Sequence, residues 1–174
     1  MIDVKNPLPE DISEGLLGMI RKELNAAVLY RNCANYCRCY GFIGAHKFFS
    51  KQASEEFNDH AHLLQHYLSN RGVEYATPLP DESNRVDGLR ECFKEGYKAE
   101  SGLYADYQEL SIAVSHEDKA THLLLNKFIA TQADEMAKFK IFRQQLEHVK
   151  DDDLYFWQES VFRNLLPNPE SPEN

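Results

Sequence analysis

As a string of apolar and polar positions, the chain falls into four long stretches in which apolar residues return every three or four places. In the first, Leu16, Ile20, Ala27, Tyr30, Ala34 and Cys37 share one stripe, and Glu23 lies on it too. The second, about 45 to 70, carries Phe49, Leu63 and Tyr67. Arg71-Gly72 closes it, because glycine takes the left-handed conformation that ends a helix. The third, about 84 to 114, has Leu89, Phe93, Leu103, Tyr107 and Leu110, and the fourth, about 119 to 149, has Leu125, Phe128, Phe139, Phe142 and Leu146. Alternation rich in Val and Thr is nearly absent. An all-α fold is expected.

The connections predict the topology. "YGFIG" and "SHED" are short, so the first two helices pair antiparallel, as do the last two. "GVEYATPLPDES" between the pairs is about a dozen residues and, extended, spans about the length of one helix. Such a linker runs the length of a bundle, and the third helix is expected to start at the same end as the first. The result is a four-helix bundle with one long crossover. After Asp151-Asp152-Asp153, "LYFWQESVF" predicts a short fifth helix. One domain over 1–165 and a frayed tail over 166–174 are expected.

Polar residues interrupt every stripe at one level. Glu23 sits among Ile20, Ala27 and Tyr30, and Glu100 between Phe93 and Leu103. Glu56 and either Asp59 or His60 lie between Phe49 and Leu63, within "SEEFNDHAH"; Gln132 and Glu135 lie between Phe128 and Phe139. Tyr30 follows Glu23, and Tyr107 follows Glu100, by the same seven residues, which suggests an internal two-fold. Inward carboxylates at one height repel each other and are costly to take out of water. Too few inward Lys or Arg are expected there to pair them. One or two bound divalent cations resolve the conflict, and oxygen donors with one imidazole or amide suit iron or manganese.

Composition narrows the classes. The net charge of −9 argues against nucleic acid as partner and suits cations. No apolar run reaches membrane-span length, and "MIDVKNPLPED" lacks the apolar core of a secretory signal. Cys33, Cys37, Cys39 and Cys92 match no zinc pattern and read as reduced thiols, so a cytoplasmic location is expected.

At this point the chain resembles the non-haem ferritins of bacteria, through "KELNAAVLY", "GAHKFFSKQASEE", "KAESGLYADYQEL", "NKFIATQADE" and "LYFWQESVF", which together cover nearly all of it. The resemblance implies a ferritin-like bundle and a diiron ferroxidase site. Glu23 would be a terminal ligand, Tyr30 the tyrosine beside the metals, Glu56 the bridge and Glu100 the third-helix ligand, with Gln132 and Glu135 serving the second metal. It also implies Fe(II) as substrate, O2 or H2O2 as oxidant, and ferric mineral stored in a homo-24-mer shell whose four-fold axis is lined by the fifth helix.

"SHEDKATH" lies where the family's three-fold channels form, so Glu117, Asp118 and His122 are candidates to guide iron. Two departures stand out. The family has Glu-x-x-His on helix two, whereas here Asp59 lies three residues after Glu56 and His60 four; both positions return to one face. Apolar register through Leu63 and Leu64 favours Asp59; the count back from Gly72 and nitrogen-donor chemistry favour His60, which is expected as the ligand with Asp59 as the alternative. Thr131 stands where an outer iron site usually has Glu, leaving Glu55, Asp134 and Glu135 for it. Phe57 lies near the haem-binding Met position of bacterioferritins, so no haem is expected, and His62 and His66 are expected at the surface or in subunit contacts. Outside the storage reading stand a diiron oxidoreductase without mineral and a helical scaffold whose polar layer only sets register.

Overall fold

The computed structural model describes residues 8–81 and 85–166. Helix α1 spans Glu10–Cys39, and α2 (Ile43–Ser54) continues through a π-helical segment, Glu55–Ala61, into α3 (His62–Asn70) as one rod. Then come α4 (Leu89–Val114), α5 (Lys119–His148) and α6 (Leu154–Val161), the last flanked by short 3-10 turns. Among the described residues there is no strand. The expected tail lies, Leu166 apart, outside them.

The stripes become the core. Leu16, Ile20, Tyr30, Cys33, Cys37, Phe49, Phe93, Tyr107, Leu125 and Phe139 are all fully buried. Helix ends follow local chemistry. Gly41 (φ 80°) and Gly72 (φ 72°) close α1 and α3; Phe42 N–H donates back to Cys37 O at 2.8 Å and Val73 N–H to Leu68 O at 3.0 Å. Asp118 caps α5 by accepting from Thr121 N–H at 2.8 Å. Helix α4 starts five residues later than the sequence predicts, because Gly88 is extended (φ −176°) and the Glu91 carboxylate accepts Asp87 N–H just ahead of it.

The direction of α4 corrects the expectation from the linker. Tyr30 hydrogen-bonds Glu100 and Tyr107 hydrogen-bonds Glu23, so as the number on α1 falls by seven that on α4 rises by seven, and the two helices are antiparallel. The reason is simple. The α2–α3 rod returns the chain to the starting end of α1, and a full-length crossover then carries it back, so α4 starts beside the end of α1. Midway along, Asp81 is fastened to Asn25 by two 2.7 Å hydrogen bonds.

Helix α6 packs on the start of α2. Gln158, 1% exposed, accepts Ala45 N–H at 3.1 Å. Between α6 and the bundle centre lies an aromatic cluster in which Phe48, Phe49, Phe93, Phe142, Trp157 and Phe162 touch one another. Of the cysteines, Cys33, Cys37 and Cys92 are buried free thiols and Cys39 is exposed. Contact with Cys92 and burial raise the first two, and the same contacts lower the Cys92 thiol to about 5.

Candidate metal centre

Four rods deliver polar side chains to one level of the core. Glu23 from α1, Glu56 from the π-helical segment, Glu100 from α4 and Gln132 from α5 are each 0% exposed. Glu23, Glu56 and His60 bring one ligand atom each within 4.8 Å of one another, and among the described residues no other group of three potential ligands does so. His60 Nδ1 lies 2.7 Å from Glu56 Oε2 and 3.7 Å from Glu23 Oε2. Asp59 points to solvent. Of the two residues that spacing left open, the structure brings His60 to the carboxylates.

The π-helical segment is the reason. Its wider turn absorbs one extra residue, so the fourth residue after Glu56 lands where the third would in a plain α-helix. The same extra residue changes the register downstream and corrects the predicted stripe. Leu63 is 46% exposed, while Leu64 and Leu68 are fully buried. Deleting Asp59 is therefore expected to turn the segment into ordinary α-helix with Leu64 and Leu68 still buried and the histidine still facing Glu23. The thermal midpoint should move by no more than a few degrees. Deleting Lys140 from the α-helical interior of α5 instead rotates the remainder of that helix by about 100° and should unfold the chain. Thermal melts followed by circular dichroism compare the two, and equal damage from both deletions would contradict this account of the bulge.

The two tyrosines exchange partners across the bundle. Tyr30 OH donates to Glu100 Oε1 and Tyr107 OH to Glu23 Oε1. Each ring is held by a phenylalanine of α5: Tyr30 stacks on Phe139 (5.5 Å, 9°) and Tyr107 on Phe128 (4.9 Å, 14°). Gly96 makes the first stack possible, because a Cβ there would fall 2.3 Å from Phe139 Cε1. Burial, reinforced by the facing carboxylates, raises both phenols, which therefore stay protonated donors.

Charge is poorly compensated. Glu23 Oε2, Glu56 Oε1, Glu100 Oε2 and both amide atoms of Gln132 are buried without a hydrogen-bond partner within the protein. Burial pushes Glu56 well above the usual carboxylate range; the His60 hydrogen bond opposes the shift, and Glu23 and Glu100 add to it. Burial likewise raises Glu100, to about 8, against the lowering effect of Tyr30. For His60, burial works against the charged ring, but the nearby Glu23 carboxylate and the hydrogen bond to Glu56 outweigh it and raise the imidazole to about 11. Without a cation, then, protons held by buried groups do the neutralising. Four unpartnered hard oxygens from Glu23, Glu56, Glu100 and Gln132, with one imidazole, make a donor set that fits a hard or borderline divalent ion such as ferrous iron.

Glu135 departs from the sequence expectation. Lys138 Nζ lies 2.7 Å from both of its carboxylate oxygens, and Gln52 Nε2 donates to Oε2 at 3.1 Å. Too few inward Lys or Arg are expected from the sequence to pair these acids; one, Lys138, a turn on from Glu135, reaches that carboxylate, and among the described residues no lysine reaches Glu23, Glu56 or Glu100. Neither Gln52 nor Lys138 stood out in the sequence, although Gln52 is four residues before Glu56 and Lys138 three after Glu135, both on the site-facing stripe. Tyr107 was signalled by the repeated seven-residue spacing.

The outer residues are not gathered. Glu55 pairs with Lys51 at 3.4 Å, Asp134 and Thr131 are exposed, and Thr131 Oγ1 donates to Lys127 O. Asp118 is tied to Arg71 at 2.5 Å, which holds its carboxyl down at about 2. His122 is held by Ser111 and Asn126. That leaves Glu117 as the uncommitted acid of the three channel candidates. His62, His66 and Phe57 lie at the surface.

Comparisons with known proteins agree with this architecture. A family model described as "Ferritin-like domain" matches residues 14–149. The bacterial non-heme ferritin of Staphylococcus haemolyticus is 30% identical over 159 residues, covering 88% of this chain and 95% of that protein. Among solved structures, a humanized archaeal ferritin superposes with a TM-score of 0.83 at 24% identity, covering 88% of this chain and 96% of that one. An open pore ferritin from the archaeon Archaeoglobus fulgidus gives 0.78 at 26% identity, covering 88% and 97%. With its bundle, crossover, fifth helix and inward carboxylates in place, the chain belongs to the ferritin family.

Proposed function

We propose that the protein takes up ferrous iron as substrate at the intrasubunit centre, oxidises it to Fe(III), and stores the ferric product in a hollow homo-oligomeric shell of 24 subunits. The observation that carries this reading is the ring of buried carboxylates, each with one oxygen lacking a hydrogen-bond partner, around one imidazole. Glu23, Glu56 and His60 hold one ion; Glu56, Glu100, Gln132 and Glu135 hold the second, with Glu56 between them. Anionic oxygen ligands favour Fe(III) over Fe(II) and so promote loss of an electron from each ion. Two Fe(II) supply two electrons, which with two protons convert O2 to H2O2 or H2O2 to two waters. The chain's own part is to hold the ions adjacent, to release protons from His60, Glu56 and Glu100 as they arrive, and to keep Glu100 and Glu23 oriented through Tyr30 and Tyr107. Asp59 and Asp134, both exposed, and Glu55, paired with Lys51, have no part in this pair of positions, and neither has haem. The buried free thiols suit work in the reducing cytoplasm.

Aerobic addition of Fe(II) to metal-stripped protein tests the reading. Fe(III) absorbance should rise well above the buffer rate, and Glu23→Ala should lose at least the ~10–100-fold typical of weakened metal sites. A Glu23→Ala rate equal to wild type would remove the assignment. Sizing of the same sample separates a storage shell from a small oxidoreductase, and metal analysis separates either from a scaffold.

A further inference from the structure

Glu135 is the one acid of the centre that is paired with a lysine. Two 2.7 Å contacts from Lys138 Nζ and one 3.1 Å hydrogen bond from Gln52 account for both of its oxygens. Glu23, Glu56 and Glu100 each keep one buried oxygen with no hydrogen-bond partner. The two halves of the centre therefore differ before any ion arrives: both present unpartnered oxygens, but on the side of Glu135 an ammonium group already occupies one carboxylate. The Lys138 side chain is 37% exposed, so the group can retreat to water along its own stem, whereas Gln52, 2% exposed, cannot leave.

We propose that Lys138 is a built-in counter-cation for Glu135, so that the centre binds one divalent ion tightly at Glu23, Glu56 and His60 and admits a second only by displacing the lysine. This rests on the iron-site reading above and deepens it. The second ion must exchange for a cation already in place, so its net gain is smaller than that of the first. Once there it sits near a displaced ammonium group that is ready to return. A loosely held second position suits an ion that must move on after oxidation.

The test uses Mn(II) as probe, a hard ion with low affinity for thiols, titrated calorimetrically into metal-stripped protein and followed by electron paramagnetic resonance to tell single ions from coupled pairs. Wild type should bind one ion at least about 10-fold more tightly than the second, as suits competition with a partly buried ion pair. Lys138→Met should tighten the second about 10-fold, leave the first within about 3-fold, and let the coupled-pair signal grow in at lower Mn(II). Lys138→Arg, which keeps the positive charge, should leave the second ion weak, and Lys138→Gln serves where the methionine variant fails to fold. Equal affinities in wild type, or an unchanged ratio in Lys138→Met and Lys138→Gln, would overturn the proposal while leaving the iron site intact. Absence of any Mn(II) binding by wild type would instead remove the iron-site reading and this inference with it.

Discussion

Replacing Glu56 and His60 together by leucine is expected to have two opposite effects: loss of cation binding and a more stable metal-stripped protein. Glu56 is fully buried, flanked by Glu23 and Glu100, and has one oxygen without a partner. Apolar side chains of similar size remove that desolvation and repulsion without stranding either member of the Glu56–His60 pair, and exchanging a buried ion pair whole for apolar groups stabilises by about 1–4 kcal/mol. The same change removes two of the proposed ligands, and iron oxidation should fall by about 100-fold or more. Denaturant midpoints and Fe(III) absorbance read the two effects. A variant both less stable and still active would contradict this account of the centre.

The pH dependence of the metal-stripped protein comes from the same groups. Folded Glu100 holds its proton up to about 8 against an ordinary 4.5, and His60 up to about 11 against 6.5. In both cases the folded chain binds more protons than the unfolded one, so stability is fully present below the ordinary value and is lost as pH rises through the raised one. The thermal midpoint should therefore decline from about pH 5 to 9, and saturating Mn(II) should oppose the decline, because the ion replaces those protons. A midpoint that climbs across that range without metal would show that the acids are not held protonated in the fold.

Phe139→Ala is the largest expected loss of stability, about 3–5 kcal/mol from transfer and cavity terms together. The ring is fully buried, touches Phe48, Phe49 and Phe93, and stacks on Tyr30. Because Tyr30 orients Glu100, the substitution reaches the metal centre as well. Guanidinium unfolding at fixed protein concentration measures it, and a loss under about 1 kcal/mol would mean that the surrounding aromatics collapse into the space.

Much of the centre was legible because a buried helical face tolerates acid only for a reason. Glu23, Glu56, Glu100 and Gln132 stood on apolar stripes, and all four are fully buried. The choice between Asp59 and His60 was not legible, since positions three and four residues on share a face of an α-helix. Only the π-helical turn, which also moved burial from Leu63 to Leu64, separated them. Lys138 was hidden for a related reason: a lysine at a stripe edge reads as solvated until a neighbouring helix places Gln52 and a carboxylate beside it.

The sequence alone determined what each helix does by itself: the four long stripes, the closure at Gly72, the acids on inward faces and the equal Glu-to-Tyr spacing. These depend on neighbours within a turn or two along the chain. Tertiary structure decided what depends on how rods meet: the antiparallel course of α4, the exchange that gives Tyr30 to Glu100 and Tyr107 to Glu23, and the lysine that claims Glu135. Periodicity says which face turns inward, but relative direction and height across a bundle are settled by packing between helices far apart in the chain.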